Sequence, residues 1–245
     1  MKIIKLKQID STHKLALRMI ENNSAFECGI ITETQTNGVG RCERKWASAP
    51  GNLYSSVIKK LPKNKDMCKI SLATACAVHK TVKNLLDPEK KDHLYLHWPN
   101  DIYYKNKKLS GILLAVIDDW IVISVGLNIR SVSIPTAISL EGIIGISDIS
   151  AQEVFRSVLD NLNYELNFIE AGRFSDIREY WLQNIFGMDS EVTIKNGSDT
   201  LSGIVRGVDR FGRLILECNE ERLYISSGDM FTNEKKITVN YDEKK

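Results

Sequence analysis

The chain has no uninterrupted apolar run longer than Ile112 to Ile117, far short of the ~20 residues a membrane helix needs. No membrane partner is expected. The amino terminus spreads Lys2, Lys5 and Lys7 through a strand-like pattern, with no apolar block ahead of small residues, which argues against a secretory signal. Cysteine is scarce and odd in number. Cys28, Cys42, Cys68, Cys76 and Cys218 contain no Cys-x-x-Cys pair, so a disulfide framework or structural zinc is a poor fit and a reducing, cytoplasmic setting is expected. An excess of one charge is missing too. Thirty-three Lys and Arg against 31 Asp and Glu leave a net +2, too even for attraction to nucleic acid by bulk electrostatics. Gly-x-Ser-x-Gly is absent, no Glu completes a zinc motif around His93 and His97, and no segment repeats.

What is present is an ordinary globular composition over 245 residues, 43% apolar and 26% charged. At about 150 residues per domain this suggests one large domain and a small companion. Ile3 to Ile9 reads as a strand, and Asp10-Ser11-Thr12 offers caps for a helix carrying Leu15, Ala16, Met19 and Ile20. Strands over Phe26 to Thr32 and Leu53 to Ile58 bracket an aperiodic stretch from Glu33 to Gly51, and so long an irregular stretch inside a domain is usually functional. A helix from Lys69 to Leu86 is expected to bury Ile70, Ala73, Ala77, Val78, Val82 and Leu85. Four consecutive antiparallel strands follow at Leu94 to Trp98, Ile102 to Tyr104, Leu109 to Ile117 and Trp120 to Leu127, then a second irregular stretch from Asn128 to Thr136. Ser150 and Glu153 form the pattern of a capping box before a helix with Val154, Val158, Leu162, Leu166 and Ile169 on one face. A shorter helix spans Asp176 to Asn184. Beyond Gly187 come short strands joined by turns such as Asn196-Gly197, a hairpin signal that places a small barrel-like module at 188–232. The expected layout is a catalytic domain over 1–187, this module, and a charged tail over 233–245 with an edge strand at Ile237 to Val239.

Four groups of residues are costly for a fold and useful for a site. The first is Ser11-Thr12-His13, for which a plain helix cap needs only one hydroxyl. The second is Thr34 to Arg41, continuing through Arg44 and Trp46. Here Gly38 and Gly40 let backbone approach a ligand, Arg41 and Arg44 supply forked cationic donors, and Trp46 supplies a flat apolar face. The third is His97-Trp98-Pro99-Asn100-Asp101 with Lys108 and Gly111 downstream, where the simpler reading is a tight corner. The fourth is Gly126-Leu127-Asn128, which also reads as an ordinary strand exit.

In this order and spacing, the groups resemble the catalytic core of biotin–protein ligases. The matching pieces are Ser11-Thr12-His13, Gly38-Val39-Gly40-Arg41-x-x-Arg44-x-Trp46, His97-Trp98-Pro99-Asn100-Asp101, Lys108-Leu109-Ser110-Gly111-Ile112 and Gly126-Leu127-Asn128. Gly203-Ile204-Val205 and Asp209-x-x-Gly212 resemble the family's SH3-like C-terminal domain. His13 stands where the family has Asn, Val39 where it has Arg, and His97 where it has Lys; these departures bear on ligand retention more than on the reaction. The resemblance implies an α+β fold, with a mixed, largely antiparallel sheet packed with helices plus a small SH3-like β-barrel. It also implies ATP-dependent biotinylation of a lysine on a biotin carboxyl carrier protein through biotinyl-5'-AMP, with Mg²⁺ accompanying the phosphates and no dedicated protein metal site. Nine residues before Asp10 leave no room for the DNA-binding domain of repressor-type ligases, so no DNA partner is expected.

The implied roles can be placed residue by residue. Arg41, Lys108 and Asp101 are the expected catalytic groups. Ser11, Thr12, His13, Gln35, Gly38, Val39, Gly40, Arg41, Lys108 and Gly111 are the expected biotin contacts. Arg44, Trp46, Asn100, Lys108 and Asn128 are assigned to ATP. Two rivals stand beside this reading, a lipoate or octanoate ligase or transferase of the same architecture and a non-catalytic biotin or adenylate sensor. A strand edge in the C-terminal module offers a surface for a homodimer.

Overall fold

The structure is a computed structural model describing residues 1–62, 66–130, 132–145 and 148–232; the tail expected over 233–245, with its edge strand, lies outside the described residues. Strand β1 (Lys2–Ile9) leads into helix α1 (Thr12–Glu21) and returns as β2 (Cys28–Gln35), parallel to β1. β3 (Leu53–Lys60), the long helix α2 (Met67–Leu85) and the short α3 (Pro88–Lys91) follow. β4 (Leu94–His97), β5 (Asp101–Tyr104), β6 (Lys107–Ile117) and β7 (Trp120–Leu127) are then consecutive and antiparallel. The seven strands order as β1-β2-β3-β7-β6-β5-β4, a mixed sheet whose one parallel pair is β1-β2.

Helices cover both faces. On one side α2 packs with α5 (Ala151–Glu170) and α6 (Phe174–Asn184) over a core that includes Val78, Val82, Leu96, Trp98, Phe155, Leu162 and Trp181. On the other side α1 places Ala16 and Ile20 against Ile30, Ile58 and Val122. The short α4 (Leu140–Ile144) closes the segment after β7. The C-terminal strands β8 (Glu191–Asn196), β9 (Asp199–Val208), β10 (Leu214–Cys218), β11 (Glu221–Ile225) and β12 (Asp229–Thr232) form a second, five-stranded antiparallel sheet in the order β11-β10-β9-β8-β12. Among the described residues no helix is long and apolar enough to cross a membrane.

Several expectations need correction. Leu85 is 37% exposed, and the buried residue at the end of α2 is Leu86 instead, because the chain leaves helical geometry at that point. Ser150 does precede α5, but its side chain makes no capping hydrogen bond. The start of that helix is set by tertiary packing of Val154 and Phe155, the latter seated against Gly29. α6 begins at Phe174, whose buried ring extends the helix two residues upstream of the charged start expected. The stretch from Glu33 to Gly51 is not structureless. β2 runs on to Gln35, Thr36 N–H and Asn37 N–H donate to the carbonyls of Ile9 and Asp10, and Val39 pairs with Lys45 in a short hairpin.

Candidate active site

A cavity of about 410 Å³ opens on the face of the sheet between α1, the 38–46 hairpin, Asn128 and the 132–137 segment, within the range of small-molecule sites. Its position follows from three local features.

The first is a bulge in β6. Ile102 pairs with Ser110, but Tyr103 pairs with Lys108, so one step along β5 spans two along β6 and Leu109 is the extra residue. Regular alternation would send Lys108 to the face opposite Gly111 and Leu113. The bulge turns it onto their face, a common way of aiming a side chain at a site. Lys108 is further held by its N–H on Thr136 O (3.0 Å) and its carbonyl on Ile138 N–H (2.9 Å).

The second is a bare patch on the sheet. Gly111 and Gly126 are direct cross-strand partners, and the indole of Trp46 lies over both. A Cβ on Gly126 would fall 2.6 Å from Trp46 Cε2, and one on Gly111 2.9 Å from Cζ3. The third is the entry to α1, where Ser11 Oγ accepts the N–H of Lys14 as N-cap while Thr12 and His13 turn inward, both buried.

The two ends of the cavity differ in chemistry. One end is neutral. Gln35 Oε1 accepts from Thr12 N (2.9 Å) and Oγ1 (3.3 Å), Ser56 Oγ donates to Thr12 Oγ1 (2.9 Å), Ser56 touches Ser124 Oγ (2.8 Å), and Ser124 touches His13 Nδ1 (2.8 Å). Burial pulls the His13 pKa down to about 4, so this imidazole is uncharged at neutral pH. The other end is cationic. Lys108 Nζ lies 2.6 Å from Asp101 Oδ2 and 5.6 Å from the Trp46 ring centroid. Arg41 Nη1 donates to Asn100 Oδ1 (3.0 Å) and to Gly228 O (3.1 Å), and Arg44 Nη2 pairs with Asp229 at 2.9 Å. Two wall atoms, Trp46 Nε1 and Asp101 Oδ1, are buried without a hydrogen-bond partner. Each such orphan costs about 1–3 kcal/mol while it lacks a partner.

Of the residues singled out on sequence, Ser11, Thr12, His13, Gln35, Val39, Gly40, Arg41 and Arg44 line the cavity, as do Trp46, Asn100, Asp101, Lys108, Gly111 and Asn128. Gly38 does not; a Cβ there would meet Trp46 O at 2.6 Å and Gln35 Nε2 at 2.8 Å, so its glycine serves packing behind the wall. Asn128 turns its amide nitrogen to the carbonyls of Lys108 and Ile138, and His97 stacks on Tyr103 (centroids 4.2 Å apart) outside the lining. Sequence reasoning missed Ser56, Ser124 and Asp229. The two serines sit directly opposite each other, and Ser124 interrupts the apolar run of β7, a signal that was readable. Asp229 becomes part of the site only through the docking of the C-terminal sheet.

Fold and site together define an α+β domain built to take a ligand with a neutral polar head and an anionic end, completed by an appended β module. Residues 6–129 match the biotin/lipoate A/B protein ligase family and residues 188–232 match the biotin protein ligase C-terminal domain. The chain belongs to the biotin/lipoate A/B protein ligase family. It is similar to the bifunctional ligase/repressor BirA of Escherichia coli, 28% identical over 225 residues covering 86% of this chain and 68% of that protein. It is also similar to the biotin–[acetyl-CoA-carboxylase] ligase of Mycobacterium tuberculosis, 29% identical over 209 residues covering 82% and 77%. Among solved structures, the biotin protein ligase of Aquifex aeolicus in complex with biotin and ATP superposes with a TM-score of 0.82 at 27% identity, covering 94% of this chain and 97% of that one.

Proposed function

We infer that the protein is a biotin–protein ligase that binds biotin and ATP, forms biotinyl-5'-AMP and passes the biotinyl group to a lysine of a biotin carboxyl carrier protein. The observation that carries the reading is the polarity of this cavity, with hydroxyls and amides at one end and Arg41, Arg44 and Lys108 at the other. Biotin has a neutral ureido ring and a carboxylate tail, and the tail must meet a triphosphate. The four-residue hydroxyl and amide chain favours a ureido group over the dithiolane or hydrocarbon of a lipoate or octanoate substrate.

In the first step the biotin carboxylate oxygen attacks the α-phosphorus of ATP, the bond to the bridging oxygen breaks, and pyrophosphate leaves. Two anions must approach, and Arg41 and Lys108 provide the opposing charge from fixed positions. Lys108 reaches this place through the bulge, and Arg41 is oriented by Asn100 and Gly228 O. Mg²⁺ binds mainly through phosphate oxygens. Among the described residues no three-ligand cluster exists, and the wall carboxylates Asp101 and Asp229 would hold the ion on the nucleotide. Trp46 walls the nucleotide side, and Arg44 takes the triphosphate.

In the second step the carrier amine attacks the anhydride carbonyl, the carbon–oxygen bond to phosphate breaks and AMP leaves. At pH 7 a lysine of pKa ~10.4 is neutral in roughly one molecule in 2,500, a deficit of about 4.6 kcal/mol. Asp101 supplies a negative field here. Its Oδ2 holds Lys108 at 2.6 Å, and the residue lines the cavity wall where the amine would arrive.

The reading is tested by incubating the protein with a purified carrier domain, biotin, ATP and Mg²⁺ and measuring intact mass. One biotinyl addition that requires ATP is expected. An unmodified carrier, or equal addition of lipoate, would overturn it.

A further inference from the structure

We propose that His13 is a specificity-determining residue whose unprotonated Nε2 accepts a hydrogen bond from a ureido N–H of biotin, its tautomer fixed by a one-way chain of hydroxyls. The proposal rests on the reading in which this cavity takes biotin.

Each hydroxyl in the chain has one proton to give. Thr12 backbone N–H can only donate, and it reaches Gln35 Oε1 at 2.9 Å, so the oxygen of that amide faces Thr12. Thr12 Oγ1 donates its one proton to the same oxygen at 3.3 Å and accepts from Ser56 Oγ at 2.9 Å. Ser56 has then used its own proton, so the 2.8 Å contact with Ser124 is donated by Ser124. Ser124 in turn has none left, so the 2.8 Å contact with His13 Nδ1 is donated by Nδ1–H. Neutral imidazole carries one proton, and burial keeps His13 neutral at pH 7. Nε2 is therefore a bare acceptor. It has no hydrogen-bond partner among the described residues and is not one of the polar atoms sealed away without a partner, while the residue lines the cavity beside Ser11 and Gln35.

An Asn at this position, as in the ligases the sequence resembles, offers both a donor and an acceptor. The locked imidazole offers an acceptor alone and rewards a ligand N–H. A dithiolane or hydrocarbon tail has none, and a buried acceptor left unmatched weakens binding of the wrong ligand.

Long-range ¹H–¹⁵N NMR of the full chain reads the tautomer directly, with His13→Asn identifying the resonances. The Nδ1–H form is expected at pH 7, and Ser124→Ala should release it toward a mixture. A dominant Nε2–H form would overturn the proposal without touching the biotin reading. Titrations with biotin and its two mono-N-methyl ureido analogues supply the second arm. For wild type, one analogue should bind at least tenfold more weakly than biotin. His13→Leu should bind biotin at least tenfold more weakly than wild type and discriminate against that analogue less than threefold. Equal discrimination by wild type and His13→Leu would overturn the role of His13. Absence of any biotin binding by wild type would overturn the biotin reading together with this proposal's ligand, while the tautomer result would stand.

Discussion

Gly126→Ala probes the Trp46 platform with a single methyl group. The added Cβ would lie 2.6, 2.7 and 2.9 Å from Trp46 Cε2, Cζ2 and Nε1, where ordinary contact begins at 3.4 Å. The indole must therefore retreat by about 0.8 Å, from 2.6 to 3.4 Å. The strand cannot give instead, because β7 is paired on both sides, by β3 and β6. The ring belongs to a hairpin at the cavity mouth and moves into the ligand space. Overpacking of this kind costs about 1–3 kcal/mol, so the Kd for ATP should rise roughly 10- to 100-fold, with a smaller effect on biotin at the far end. Isothermal titration of the variant measures this, and thermal unfolding should change little because the displaced ring sits on a loop. In a Trp46→Ala background the same substitution should be nearly silent, since the two changes act through one contact. Wild-type affinity in Gly126→Ala, or an undiminished penalty without the indole, would refute the reasoning.

Three further outcomes are expected. Arg41→Gly removes the guanidinium proposed to clamp the adenylate, so biotinyl-5'-AMP should escape and label bystander lysines; proteomic mapping showing unchanged acceptor selectivity would deny Arg41 that role. Asp101→Asn should slow single-turnover transfer from preformed adenylate at least tenfold and flatten its rise with pH, whereas an unchanged pH–rate curve would exclude Asp101 from the second step. Burial lowers the pKa of His13, His79 and His97 to about 4, below an unfolded value near 6.5. Their contribution to stability is complete above pH 6.5 and is lost as pH falls toward 4, roughly 2 kcal/mol each by pH 4.5. The urea midpoint should drop clearly between pH 7.5 and 4.5, and a constant midpoint would contradict the neutral assignment.

Local chemistry was legible in the sequence wherever a residue acts close to its own position in the chain. Ser11 capping α1, the antiparallel run from β4 to β7 and the buried face of α5 all follow from spacing and turn residues. The site was legible as residue types, since most of the expected groups line one cavity. Its geometry was not. Lys108 faces Gly111 only because β6 carries an extra residue, and no periodicity signals a bulge. Asp229 is distant in sequence from Arg44 and joins it through domain docking. Gly38 shows the converse, a glycine next to a ligand loop whose missing side chain answers a packing demand. Short elements such as α4 and β12 lie below the length at which a pattern can be read.

The central claim is that Arg41 and Lys108 bring a carboxylate and a triphosphate together for adenylation in this cavity, and pyrophosphate exchange into ATP measures that step alone. Exchange should require biotin, fail with lipoate or octanoate, and fall at least a hundredfold in Lys108→Met. Exchange driven by lipoate, or full exchange by Lys108→Met, would contradict it.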